Sequence, residues 1–134
     1  MKSCWLSVVG CRIIYRNKMD YTKLEVWIAA RELANKIYIE TKAFPKEEIY
    51  GLTNQMRRCA VSIPSNIAEG CGRQTSKDTI NFLHISRGSL YELETQLFIA
   101  QDQHYISANA EEIFERIQTV KRLLNGFINY YKKL

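Results

Sequence analysis

From Tyr21 onward, apolar residues recur at spacings of three and four, the period of a helix with one buried face. Four such runs follow one another. The first predicts a helix from about Thr22 to Lys42, with Leu24, Trp27, Ala30, Ala34 and Ile37 on one stripe. Val26, Ile28, Leu33 and Ile39 widen its apolar surface, which predicts a second buried face and hence assembly of copies. Asp20 stands just ahead, where an acid both caps a helix and complements its dipole. The second helix is expected from about Pro45 to Gly70. Proline suits a first helical turn, and Glu47 and Glu48 follow it. Its seam reads Ile49, Leu52, Met56, Cys59, Ile63 and Asn66. Pro64 lies inside and predicts a kink, while Gly70 and Gly72 are expected to stop the helix.

Thr75 and Asp78 have capping-box-like spacing and open a third helix, from about Ser76 to Gln103. Leu83, Ser86, Leu90, Leu93, Leu97 and Ala100 face inward on it. Ser107 is the expected cap of a fourth, from about Ala108 to Lys133, with the stripe Ile113, Ile117, Val120, Leu124, Phe127 and Tyr131. The intervening loops are short, and short loops make consecutive helices antiparallel neighbours. The fold class read from the pattern is all-α, an antiparallel up-down-up-down four-helix bundle with its second helix kinked near Pro64.

Residues 1–18 fall outside this pattern. They carry Lys2, Arg12, Arg16 and Lys18 and no acid, with an apolar run too short for a signal sequence. They are expected to be a leader, disordered or a misassigned start, ahead of a bundle domain at 19–134. Their charge also changes the reading of the whole. The chain of 134 residues has a formal net charge of +5. Removing the four leader charges leaves +1 for the remainder, so any basic surface must come from local clustering. Cys4, Cys11, Cys59 and Cys71 match neither a zinc site nor a disulfide framework, which points to reduced thiols and a cytoplasmic protein. No run is long enough to span a membrane.

Candidate chemistry is sparse. A di-iron bundle requires Glu-x-x-His, but Asn81 precedes His84 and Gln101 precedes His104 at that spacing. No phosphate-binding glycine loop or hydrolase motif occurs. The chain is therefore expected to be no enzyme, with no cofactor, no metal and no small-molecule substrate. Arg57 and Arg58 lie off the seam. With Arg73, Lys77 and Arg87 they are the candidate phosphate-binding set, provided the fold brings them onto one face. Asn66 is expected to fix helix register or to bond the carbonyl that Pro64 leaves free. Glu69 is placed to pair with Arg73, and Gly88 to let another helix approach near Pro64. Trp27 and Tyr38 read as packing residues. Tyr130, Tyr131, Lys132 and Lys133 mix aromatic and basic character, as single-strand binding would need, although a frayed helix end is the simpler reading.

Several of these residues form a longer signature. Leu24, Trp27, Tyr38, Phe44-Pro45, Glu48 and Tyr50-Gly51-Leu52-Thr53 are followed by Gln55, Arg57-Arg58 and the run Ser62 to Gly70, then Gly88-Ser89 and Glu92. From Tyr21 to about Ile106 the chain resembles the 23S rRNA intervening-sequence proteins, a four-helix-bundle family. The resemblance implies a ring-like homopentamer of bundles and a nucleic-acid-binding or scaffolding role, with RNA or DNA as partner. It implies no enzymatic activity. Family members commonly have alanine at the position of Cys59, which argues against a catalytic thiol, and the leader has no counterpart in them.

Overall fold

The computed structural model describes residues 4–9 and 12–17 as backbone, and residues 19–106 and 110–134 in full. Strands β1 (Cys4–Val9) and β2 (Arg12–Asn17) pair antiparallel with each other, Cys4 opposite Asn17. Regular pairing in the leader is a feature that the helical pattern did not anticipate. The remainder is helical: α1 (Glu25–Thr41), α2 (Leu52–Cys71), α3 (Ser76–Asp102) and α4 (Ala110–Lys132).

Contacting side chains give the direction of each pair. Thr79 and Ser86 of α3 meet Gly70 and Ile63 of α2. On the other side of α3, Arg87 meets Asn125 and Glu94 meets Lys121 of α4. Lys36 and Arg116 link α1 to α4 through Glu112 and Glu32. In each pair the numbers rise on one helix as they fall on the other, the register of antiparallel neighbours. The core between them is aliphatic, with Leu33, Ile37, Met56, Ile63, Ile67, Leu83, Leu90, Leu93, Leu97, Ile113, Ile117 and Leu124 fully buried. Burial of such side chains contributes about 1.5–3 kcal/mol each.

The core stripe of α1 is Val26, Ala30, Leu33, Ala34 and Ile37, while Leu24 and Trp27 sit half-buried at its edge. The sequence pattern set this stripe too far toward Trp27, because both faces of α1 are apolar and periodicity alone cannot choose between them. Asp20 caps a separate turn at Tyr21–Lys23 through the Thr22 amide, not α1 itself. The start of the second helix also differs. Pro45 introduces a single 3-10 turn, Lys46–Glu48, and α2 begins only at Leu52. Ile49 therefore lies outside the helix, 55% exposed, and does not belong to the core seam. The cap of α2 is the Glu48 carboxylate, which accepts a hydrogen bond from the Leu52 amide at 2.8 Å. Its other oxygen accepts from the Tyr105 hydroxyl at 3.3 Å, tying this turn to the α3–α4 connection. A side chain at Gly51 would press on that carboxylate, 2.8 Å from the place of its Cβ.

Helix α2 is continuous through Pro64. Gly70 lies within it and does not end it; Gly72 takes the C-cap position. Thr75 caps α3, its side chain accepting from the Asp78 amide at 3.1 Å. Helix α3 closes with His104 in the left-handed conformation at φ 60°, the Tyr105 amide bonding back to Ala100 and the His104 amide to Gln101. This is a Schellman ending in which histidine occupies the position usual for glycine. Ser107, the expected cap of α4, lies outside the described residues.

Candidate nucleic-acid interface

The structure separates the candidate basic residues into two places. Arg57 turns toward α1. Its Nε donates to the Thr41 hydroxyl at 2.9 Å, and its guanidinium lies over the Tyr38 ring, 4.9 Å from the centroid. A cation beside the last turn of α1 is favoured by that helix's dipole. Arg57 thus joins α1 to α2, and does not project freely from the subunit as its off-seam position suggested. Arg58 is exposed on the outer face of α2. The α2 C-terminus lies about 20 Å further on at 1.5 Å rise per residue, so the arginine pair stands far from Arg73 and Lys77. Arg87 is level with the Cys59–Ile63 part of α2, because Ser86 and Ser89 beside it meet Ile63, Cys59 and Ser62.

Arg73 and Lys77 share an end of the bundle, and Arg87 lies about 15 Å along α3 from Lys77. Arg73 stacks over Phe82 at 4.4 Å and pairs with Glu69 at 3.5 Å. Lys77 is exposed in the first turn of α3. Arg87 reaches across to Asn125 of α4 at 3.1 Å. Because α3 and α4 run antiparallel, the same end receives the C-terminal part of α4. Residues 76–89 and 121–134 carry Lys77, Arg87, Lys121, Arg122, Lys132 and Lys133 against the single acid Asp78. The opposite end inverts this. Residues 90–102 and 110–120 carry Glu92, Glu94, Asp102, Glu111, Glu112 and Glu115 against Arg116 alone. At the boundary the Glu94 carboxylate accepts from Lys121 at 2.6 Å and from Gln118 at 3.1 Å.

His84 lies in the basic end. Although exposed, it loses some solvation to its neighbours, which lowers its pKa from the ordinary value, and the positive charges of Arg87 and Lys132 add to the effect. Tyr130 is half exposed nearby on α4, beside Phe127 and Tyr131. Helix α4 stays helical to Lys132, so this aromatic group is packed and not frayed. Sequence reading missed Arg122 and His84 as members of the patch. Their contribution depends on the antiparallel register, which no local motif encodes.

The motif residues have other work. The Asn66 side-chain amide donates to the Ser62 carbonyl at 2.8 Å and the Ser62 hydroxyl at 3.0 Å. It is half-buried, off the core seam, and does not serve the carbonyl freed by Pro64, which belongs to Ala60. Gly70 is a point of close approach between α2 and α3: a Cβ there would stand 3.1 Å from the Phe82 Cβ and 3.3 Å from the Thr79 carbonyl. Gly88 has open space instead, so it is not the approach point expected of it. That contact is made by Ser89, whose hydroxyl meets Ser62 at 2.9 Å and whose carbonyl accepts from the Cys59 thiol. Burial, with Glu92 adding to it, pushes the Cys59 thiol up to about 12, which favours the protonated thiol over the thiolate.

Among the described residues no group of three or more His, Cys, Asp or Glu could hold a metal ion. Among the same residues no helix is long and apolar enough to cross a membrane.

Known proteins place this fold. A search of curated protein sequences returns no match. A crystal structure of a protein of unknown function from the S23 ribosomal protein family of Bacteroides thetaiotaomicron VPI-5482 superposes with a TM-score of 0.71 at 25% identity. The match covers 78% of this chain and 95% of that one. The sequence profile described as 23S rRNA-intervening sequence protein matches residues 22–126, from the turn ahead of α1 deep into α4. With that span covered and the four helices in place, the chain belongs to the 23S rRNA-intervening sequence protein family.

Proposed function

We propose that this protein is a non-enzymatic, self-associating bundle that binds nucleic acid through the phosphate backbone at the basic end of α3 and α4. The supporting observation is the segregation of charge: a nearly neutral domain gathers Lys77, Arg87, Arg122, Lys132 and Lys133 at one end with Asp78 as the only acid of that stretch. Arg73 adds to the same end from the α2–α3 turn. Clustered cations release phosphate counterions, which supplies most non-specific nucleic-acid affinity. Arg57 is excluded from the site because its guanidinium is held by Tyr38 and Thr41. Arg58 stands too far away to share a phosphate tract with Lys77.

Self-association is supported by large apolar side chains that the single bundle leaves exposed, Ile28 and Ile39 on α1 among them. A homopentamer is the number the family resemblance implies, and repetition of a weak site around such a ring would add avidity. The protein is read as cytoplasmic, with RNA or DNA as partner and no membrane or small-molecule ligand.

Fluorescence anisotropy with single-stranded and duplex oligonucleotides, over a salt series, tests the proposal. Affinity should fall steeply with salt, and Lys77→Ala/Arg87→Ala should weaken it and flatten the slope by about 0.9 per lost duplex contact. Arg57→Ala should leave the slope unchanged. Absence of binding at low salt, with the oligomer intact by light scattering, would instead support a protein scaffold.

A further inference from the structure

We propose that the acidic end of α3 and α4 is a docking surface for a second protein, one presenting a basic amphipathic segment to the apolar patch of Phe98, Ile99 and Phe114. Phe98 and Ile99 are 51% and 45% exposed, although both are large and apolar. The Phe98 ring packs on Phe114 of α4 with centroids 4.6 Å apart, so the two helices form one continuous aromatic surface. Aromatic side chains held rigid by each other lose little entropy on binding, which makes them good anchors.

The rim of this patch selects the occupant. Glu94 and Asp102 lie one helical turn on either side of Phe98, and Glu111 lies one turn before Phe114. Glu94 is matched by Lys121. Asp102 and Glu111 form no ion pair among the described residues. Asp102 has no folding benefit that explains its charge, since it stands in the last turn of α3. An acid in a last turn opposes the helix dipole, and that turn contains no base. Charge kept against local preference around exposed aromatics fits a ligand that is apolar on one side and cationic on the other. Such a surface repels phosphate, so this end is not a second nucleic-acid site. It leaves the basic end free to act independently.

The test uses the full chain and a labelled synthetic helix with leucine on one face and lysine on the other, beside a twin carrying glutamate for lysine. Anisotropy should show binding of the lysine peptide and none of its twin. Phe98→Ala/Ile99→Ala should weaken the lysine peptide about tenfold or more, the usual cost of losing interface anchors. Asp102→Asn/Glu111→Gln should weaken it too and reduce its salt dependence. Neither variant should alter oligonucleotide binding, which separates this proposal from the preceding one. Equal binding of the twin, or no loss in Phe98→Ala/Ile99→Ala, overturns it. So does dissociation of the oligomer in Phe98→Asp, which would assign the patch to a second copy.

Discussion

The two sides of α3 are built on different principles. Toward α2 the contact is small and polar: Gly70 under Phe82, Ser86 bonded to the Ile63 carbonyl, Ser62 against Ser89 and Thr79 bonded to the Gly70 carbonyl. Toward α4 the edge is long side chains, Arg87 on Asn125, Lys121 on Glu94 and Phe98 on Phe114. The first side holds almost all of the recognisable motif and is directed inward. The second has no motif and presents the charge and exposed aromatics through which the molecule can meet others. A long signature of unusual residues therefore marks close helix packing here, and the candidate function lies on the neighbouring face.

Gly70→Ala should break this contrast most strongly. Its Cβ would meet a Cβ and a backbone carbonyl, neither of which can swing aside. We expect a loss of about 1–3 kcal/mol, typical of overpacking, measured by urea unfolding. Gly88→Ala is the counterpart on the same pair of helices. With open space around it, alanine should add about 1 kcal/mol through helix propensity. Equal effects at the two glycines would show that the tight approach is not at Gly70.

On the α4 side, Lys121→Met should cost no more than about 1 kcal/mol, since the pair with Glu94 is only partly shielded from water. The smallest effect concerns His84. Its folded pKa is lowered, so its neutral form is favoured and its contribution to stability declines as pH falls through its ordinary value. Phosphate beside it would reverse that preference. Oligonucleotide affinity should therefore rise between about pH 8 and 5, and His84→Gln should flatten the rise. A flat profile in the unmodified protein would remove His84 from the basic end's binding surface.

Much of the fold was legible because it follows from local chemistry. The stripes of α3 and the central part of α4 needed only periodicity, and the Thr75 cap needed only spacing. On α1 periodicity gives Ala30, Ala34 and Ile37 but places Leu24 and Trp27 where Val26 and Leu33 belong, because two apolar faces compete, and it starts α2 too early because Pro45 suits a 3-10 turn as well as an α-helix. The site was less legible. Arg57 looked free because its partners Tyr38 and Thr41 are sixteen or more residues away in sequence. Gly88 looked like a contact because a glycine inside a helix usually has one, and only the packed helices show Gly70 in that role.

By itself the sequence determined four helices, most of their inward-facing residues and the family, because helical period and capping are encoded within a few residues. The tertiary structure decided which charges stand together. Along each of α3 and α4 the charge already changes sign from one half to the other, but order along the chain does not say which halves meet. Antiparallel pairing lays the basic start of α3 beside the basic end of α4, and the acidic halves beside each other. Electrostatic potential sums over distance in space, not along the chain, so a nearly neutral domain acquires two opposite ends only when it folds.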